Sequence, residues 1–167
     1  MKNRIFVIAD THFGHKNIIQ YESEYRPFSS IQEHDQALID NWNSVIKPTD
    51  TVWHLGDVLF GLHSFPLLEK LNGIKKLTLG NHDYYDIREY LKYFTKITAV
   101  AIVKGYLLSH IPICRNQFPR FKGNIHGHMH SRKLEDPRYA CVSVEQIGLK
   151  PILLDQVVEQ ICHNSHQ

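Results

Sequence analysis

The ten residues IKKLTLGNHD, 74–83, decide the fold. Ile74 to Leu79 reads as a short strand. Gly80 ends it, and Asn81, His82 and Asp83 stand directly at its end. The same layout recurs on both sides. Upstream, Ile5 to Ala9 runs into Asp10-Thr11-His12, and Thr51 to Leu55 runs into Gly56-Asp57. Downstream, the strand Tyr106 to Ser109 stops at His110, and a strand around Asn124 to His126 gives way to Gly127-His128-Met129-His130. In an open α/β sheet, strand ends on one side gather at a common crevice. These clusters, remote in sequence, are therefore expected to converge.

Between the strands lie helix signals. Ser30 with Glu33 has the spacing of a capping box. Ile31, Leu38, Trp42, Val45 and Ile46 recur at helical intervals until Pro48 stops the helix. Ser64 to Leu71 reads as a short helix closed by Asn72-Gly73. Asp86 with Glu89 opens another, running to about Tyr93. Ile97 to Val103 and Tyr106 to Ser109 form a hairpin about Lys104-Gly105. Further strands fall at 140–144 and 151–154, and Asp155 caps a last helix. Strands alternate with helices early and follow one another later, which predicts an α/β sandwich with a mixed sheet system. The loop from Ile111 to Lys122, containing Pro112 and Pro119, is expected to wall the site.

The 167 residues fit one domain, 1–167, with no linker or repeat. A net charge of +2 is unlike that of a strong nucleic-acid binder. Cys114, Cys141 and Cys162 are too few and scattered for a disulfide framework or zinc knuckle. No stretch is long and apolar enough for a membrane span, and the chain reads as cytoplasmic. Histidine is the unusual number, at 12. The clusters offer carboxylate, imidazole and amide but no thiolate, which suits divalent Mn, Fe, Zn, Ni or Co, with manganese expected first. Asp10 and His12 lie two apart, so in extended chain they point the same way, as do His128 and His130.

Taken in order, D-x-H, G-D, G-N-H-D, a lone His and G-H-x-H make the sequence resemble the calcineurin-like metallophosphoesterase superfamily, across about three quarters of the chain from Asp10 to His130. The resemblance implies a four-layer α-β-β-α sandwich of two mixed β-sheets flanked by helices. It implies that Asp10, His12 and His130 bind one metal ion, that Asn81, His110 and His128 bind another, and that Asp57 bridges both. His82 would be the catalytic non-ligand that protonates the leaving oxygen. Two such ions can share a hydroxide that attacks phosphorus in line, making the chain a phosphodiesterase or phosphatase.

Asn81, His15 and Arg26 are candidate substrate contacts; Arg26, Arg115 and Arg120 are candidate phosphate clamps, each with a solvated surface arginine as its plainer reading. His54 and His126 read as packed structural histidines, and His34, His63, His163 and His166 as surface or loop residues. Tyr84 and Tyr85 fit either stacking on a substrate ring or packing. The protein Ser/Thr phosphatase branch carries Asp and Arg where this chain has Phe60 and Gly61, so the orienter of His82 is unassigned. That departure, with no capping domain, points to small single-domain bacterial or phage-type members and to a phosphodiester or small, nucleotide-like phosphate ester. A metal-dependent nuclease is the alternative, although the small net charge argues against tight duplex binding. A non-catalytic scaffold of the same fold is disfavoured by the intact motifs.

Overall fold

A computed structural model describes residues 4–164. In chain order the elements are β1 (Ile5–Ile8), α1 (Ile18–Tyr21), α2 (Ile31–Val45), β2 (Thr51–His54), β3 (Ile74–Thr78), α3 (Ile87–Tyr90), β4 (Lys96–Thr98), β5 (Val100–Val103), β6 (Tyr106–Ser109), β7 (Asn124–His126), β8 (Tyr139–Cys141), β9 (Ile152–Leu153) and α4 (Leu154–Asn164). One sheet has the order β4-β3-β2-β1-β9, with β1 to β4 parallel and β9 antiparallel to β1. The other runs β5-β6-β7-β8, with β6 to β8 parallel and β5 antiparallel to β6. Both sheets are mixed, and helices flank them.

Alternation along each strand divides the core in two. Phe6, Ile8, Val52 and Leu77 face α2, whose Leu38, Ile39, Trp42 and Ile46 side cover them. Val7, Ala9, Trp53 and Leu55 face the other way, onto Ala101, Tyr106, Leu108 and Ile125 of the second sheet, with Val157 and Ile161 of α4 closing the same core. The expected helix start holds: Ser30 Oγ accepts from the Glu33 N–H at 3.1 Å. Glu33 returns its carboxylate to the Ser29 N–H at 2.8 Å, one residue earlier than a capping box requires.

The two sheets join at one corner. Beyond β1, Ala9 donates to the Val142 carbonyl and accepts from the Val144 N–H, a parallel bridge at Ala9 and Ser143. This brings the loop after β1 beside the segment after β8, and His128 in the loop after β7 donates its N–H to Asp10 there, at the end where the clusters lie.

Several sequence expectations are corrected. The strand read over Ile97 to Val103 is two: β4 pairs with β3 in the first sheet and β5 with β6 in the second. The chain crosses between sheets at Ala99, a change that residue periodicity does not register. The helix expected at Ser64 to Leu71 is a 3-10 helix, Leu62–Lys70, with Pro66 inside it. The helix after Asp86 is a single turn, its first bond being Arg88 N–H to the Asp86 carboxylate. β8 and β9 are shorter than expected, and α4 begins at Leu154, so Asp155 lies in its first turn rather than capping it. The loop from Ile111 to Lys122 contains a 3-10 helix, Arg115–Arg120, and covers the outer face of the second sheet. Its Phe118 packs on Tyr139, whose hydroxyl donates to the Ile113 carbonyl. His166 lies outside the described residues.

Candidate metal centre

Among the described residues, seven non-glycine residues have positive φ, and five of them are Asp10 (58°), His12 (50°), Asp57 (56°), His128 (68°) and His130 (50°). Left-handed backbone costs an L-residue roughly 1–2 kcal/mol. Its concentration at these strand ends marks a functional constraint rather than ordinary turn chemistry. Each such residue turns the chain sharply as it leaves the sheet. Gly56 (φ +90°) makes the close approach possible: a Cβ there would lie 2.6 Å from Gly80 N and 2.7 Å from His110 Nδ1. A Cβ on Gly80 would lie 2.2 Å from Asp57 Oδ1.

The side chains meet in two adjoining groups. In one, His12 Nε2 and His130 Nε2 lie 3.8 and 3.9 Å from Asp10 Oδ1. In the other, His110 Nε2 lies 2.9 Å from Asn81 Oδ1, 3.2 Å from His128 Nδ1 and 3.4 Å from Asp57 Oδ2. Asp57 Oδ2 also lies 3.7 Å from His12 Nε2, so the one oxygen faces both groups. Donor atoms of Asp10, His12 and His130, and of Asp10, Asp57 and His110, come within 4.8 Å of one another.

Surrounding bonds aim these atoms. Asp10 Oδ2 accepts from Ser143 Oγ at 2.6 Å and from the His128 N–H at 2.9 Å, leaving Oδ1 buried without a partner. Asp57 Oδ1 accepts from the His82 N–H at 2.9 Å, leaving Oδ2 for the imidazoles. His110 Nδ1 donates to the Leu55 carbonyl, which turns Nε2 toward Asn81, His128 and Asp57. Asp83 splints two loops: Oδ2 accepts from the Asp57 and Gly80 N–H groups, both at 2.8 Å, and Oδ1 from that of Val58 at 3.0 Å.

Burial dominates the electrostatics. It pushes the Asp10 carboxyl up to about 6, although nearby His110 and His130 pull the other way. It lowers His12 well below the ordinary range, and the Arg26 charge adds to this. Burial opposes ionisation at Asp57 and His110 too, but there their mutual hydrogen bond and attraction win: Asp57 is lowered and His110 raised. Asp10 Oδ1 and both His12 nitrogens are buried with no hydrogen-bond partner. Such atoms are costly to bury unless something satisfies them. Oxygen and imidazole-nitrogen donors converging this closely fit a divalent cation.

A family model for calcineurin-like phosphoesterases matches residues 3–147. The chain belongs to the calcineurin-like phosphoesterase family. This phosphoesterase is 36% identical over 171 residues to an uncharacterized protein of Methanocaldococcus jannaschii, covering 95% of this chain and 91% of that protein. A gene product of Mycobacterium phage L5 is 36% identical over 88 residues, covering 50% of this chain and 41% of the phage protein. Among solved structures, a protein of unknown function from Aquifex aeolicus aligns with TM-score 0.75 at 30% identity, covering 95% of this chain and 99% of that one. Membership implies divalent metal ions and hydrolysis of a phosphoester.

All seven residues that the sequence offered as candidate ligands gather at one end of the sandwich, and His82 joins them, its Nε2 4.0 Å from Asp57 Oδ2 and its side chain 43% exposed. Among the described residues, no other carboxylate stands within 4.0 Å of His82. Phe60 packs against it instead, with ring centroids 4.9 Å apart. His15 reaches the rim, stacked on Phe60 at 3.9 Å and 12°.

Arg26 is a correction. It is fully buried, so it is neither a substrate contact nor a solvated arginine. His34 is likewise buried rather than on the surface. His54 and His126 are packed, as expected: His54 Nε2 donates to Thr11 Oγ1, and His126 Nδ1 donates to the Gly127 carbonyl. Tyr84 is 65% exposed, whereas the Tyr85 hydroxyl accepts from the Gly61 N–H at 2.7 Å. Ser143 and Glu145 went unread because no motif surrounds them; they reach the site only through the Ala9 bridge. Among the described residues no helix is long and apolar enough to cross a membrane.

Proposed function

We propose that the chain holds two divalent metal ions, manganese first among them, and hydrolyses a phosphodiester or small phosphate ester. Asp10, His12 and His130 hold one ion, Asn81, His110 and His128 the other, and Asp57 links them. One observation carries this reading: Asp57 Oδ2 stands between imidazoles of both groups, 3.7 Å from His12 and 3.4 Å from His110. Bound ions supply a hydroxide near neutral pH and offset the charge gathering on the phosphoryl oxygens.

The rest belongs to the chain. Asn81, exposed beside His110, meets both an ion and a phosphate oxygen. His82, partly exposed above Asp57, faces the leaving oxygen and donates its proton there. His15 and Phe60 form one rim, where the phosphatase branch places charged groups. A rim of rings in place of an arginine suits a diester, which carries one negative charge fewer than a monoester.

A bis-aryl phosphate assayed in excess manganese tests this. The wild-type chain should hydrolyse it, and Asp57→Ala should lose both bound metal and turnover. His82→Ala should keep its metal and lose at least about 100-fold in kcat. Full activity in both variants rejects the reading.

A further inference from the structure

Arg26 is among the largest fully buried side chains, and all its N–H groups are used. Nε and Nη2 donate to Glu145 Oε1 at 2.8 and 2.6 Å. Nη2 also donates to the Asp10 carbonyl at 2.6 Å, and Nη1 to the Thr11 carbonyl at 3.1 Å. Nη1 further donates to His34 Nε2 at 2.8 Å. His34 therefore carries its proton on Nδ1 and donates to Asp35 Oδ1 at 2.9 Å, while Asp35 Oδ2 accepts from the Gly14 N–H at 3.0 Å. The loop 10–14 is thus gripped from behind at two carbonyls and one N–H.

Glu145 extends the grip across the site. Its Oε1 also accepts from His130 Nδ1 at 2.9 Å, leaving Nε2 to face Asp10 Oδ1. A carboxylate on the far nitrogen of an imidazole fixes both its tautomer and its ring plane. Stability alone does not account for the pair, because a buried ion pair is seldom worth more than apolar side chains of equal volume. What it supplies is direction: one guanidinium addresses the loop bearing Asp10 and His12 and, through Glu145, the separate loop bearing His130.

We propose that Arg26 and Glu145 are positioning residues that set the cage of Asp10, His12 and His130 before any ion arrives. This deepens the two-ion reading above and rests on it. Neither residue touches substrate. Their direct bonds reach one of the two metal positions: Arg26 and Glu145 contact Asp10, Thr11, His34 and His130 and make none to Asn81, His110 or His128.

The test is calorimetric titration of manganese into the metal-free full-length chain. Wild type should take up two ions. Glu145→Gln, nearly isosteric, should weaken one of them about 10–100-fold and leave the other unchanged. The double variant Arg26→Met/Glu145→Met removes both charges at similar volume and, where it folds by circular dichroism, should show the same selective loss. On the metal-free wild type, imidazole nitrogen NMR should find His130 protonated at Nδ1. Unchanged affinity for both ions in either folded variant overturns the proposal, as does a His130 protonated at Nε2 and bare at Nδ1. If wild type binds fewer than two ions, the two-ion reading fails instead, and the His130 tautomer still decides whether Glu145 aims it.

Discussion

At the residue scale, the site is built from conformations that its side chains disfavour. His128 sits at φ 68°, where any Cβ costs energy. Ordinarily alanine stabilises a fold relative to glycine. Here the order should reverse: metal-free His128→Gly should be more stable than His128→Ala by about 1 kcal/mol in urea titration. The usual order would show that the strain is absent. Histidines behind the site make stability depend on pH. Burial lowers His54 to about 3 and His126 to about 4, against an ordinary 6.5. From pH 6.5 down to about 4 the unfolded chain takes up these protons and the native chain does not, so stability falls with pH. Each contributes a slope of about 1.4 kcal/mol per pH unit. Asp10 works oppositely: raised to about 6, it favours the metal-free native state at low pH, an advantage lost as pH rises through 6. His54→Gln, which keeps the donor to Thr11, should therefore flatten the dependence of unfolding free energy on pH between 4 and 6 by one histidine's slope. An unaltered slope would contradict the buried, neutral His54.

At the element scale, strands present the chemistry and short polar contacts hold it in register. Ser30 caps α2 in the ordinary way, and Ser30→Ala should cost about 1 kcal/mol. Asp83 does more than cap: it ties the loop after β2 to the loop after β3 through three backbone N–H groups. Removing it strands three donors, each costing roughly 1–3 kcal/mol when buried. Asp83→Ala should thus lose at least about 3 kcal/mol, clearly more than Ser30→Ala in the same denaturation assay. Equal losses would mean that water replaces the carboxylate. These elements differed in how far sequence reached. The α2 stripe from Ile31 to Ile46 was plain because a helix reports its buried face every three to four residues. The split between β4 and β5 was not, because Ile97 to Val103 has one composition while its two halves pair with different neighbours. Hydrogen bonding to a remote strand leaves no local mark.

At the scale of the whole molecule, two sheets meet at Ala9 and Ser143, and the site lies where they meet. In the proposed site, ligands drawn from both sheets make bound metal a clamp on the fold. Manganese at about 100 times its dissociation constant should add roughly 2.7 kcal/mol. For a chain of this size that raises the melting temperature by about 5–11 °C, and a chelator should reverse it. A melting point indifferent to both would argue against metal spanning the sheets. The sequence by itself determined the family and the two mixed sheets, and it singled out Asp10, His12, Asp57, Asn81, His110, His128 and His130, which the fold brings to one end. It could do so because each ligand sits beside a strand end, where glycine and polar residues break a short apolar run and leave a local signature. Only the tertiary structure decided that Arg26 is buried, that Glu145 accepts from His130 and Ser143 donates to Asp10, and that Phe60 stands against His82. Those roles depend on which distant segment each side chain meets, 119 positions away for Arg26 and Glu145. A lone arginine or glutamate carries the same letter whether water or a carboxylate surrounds it.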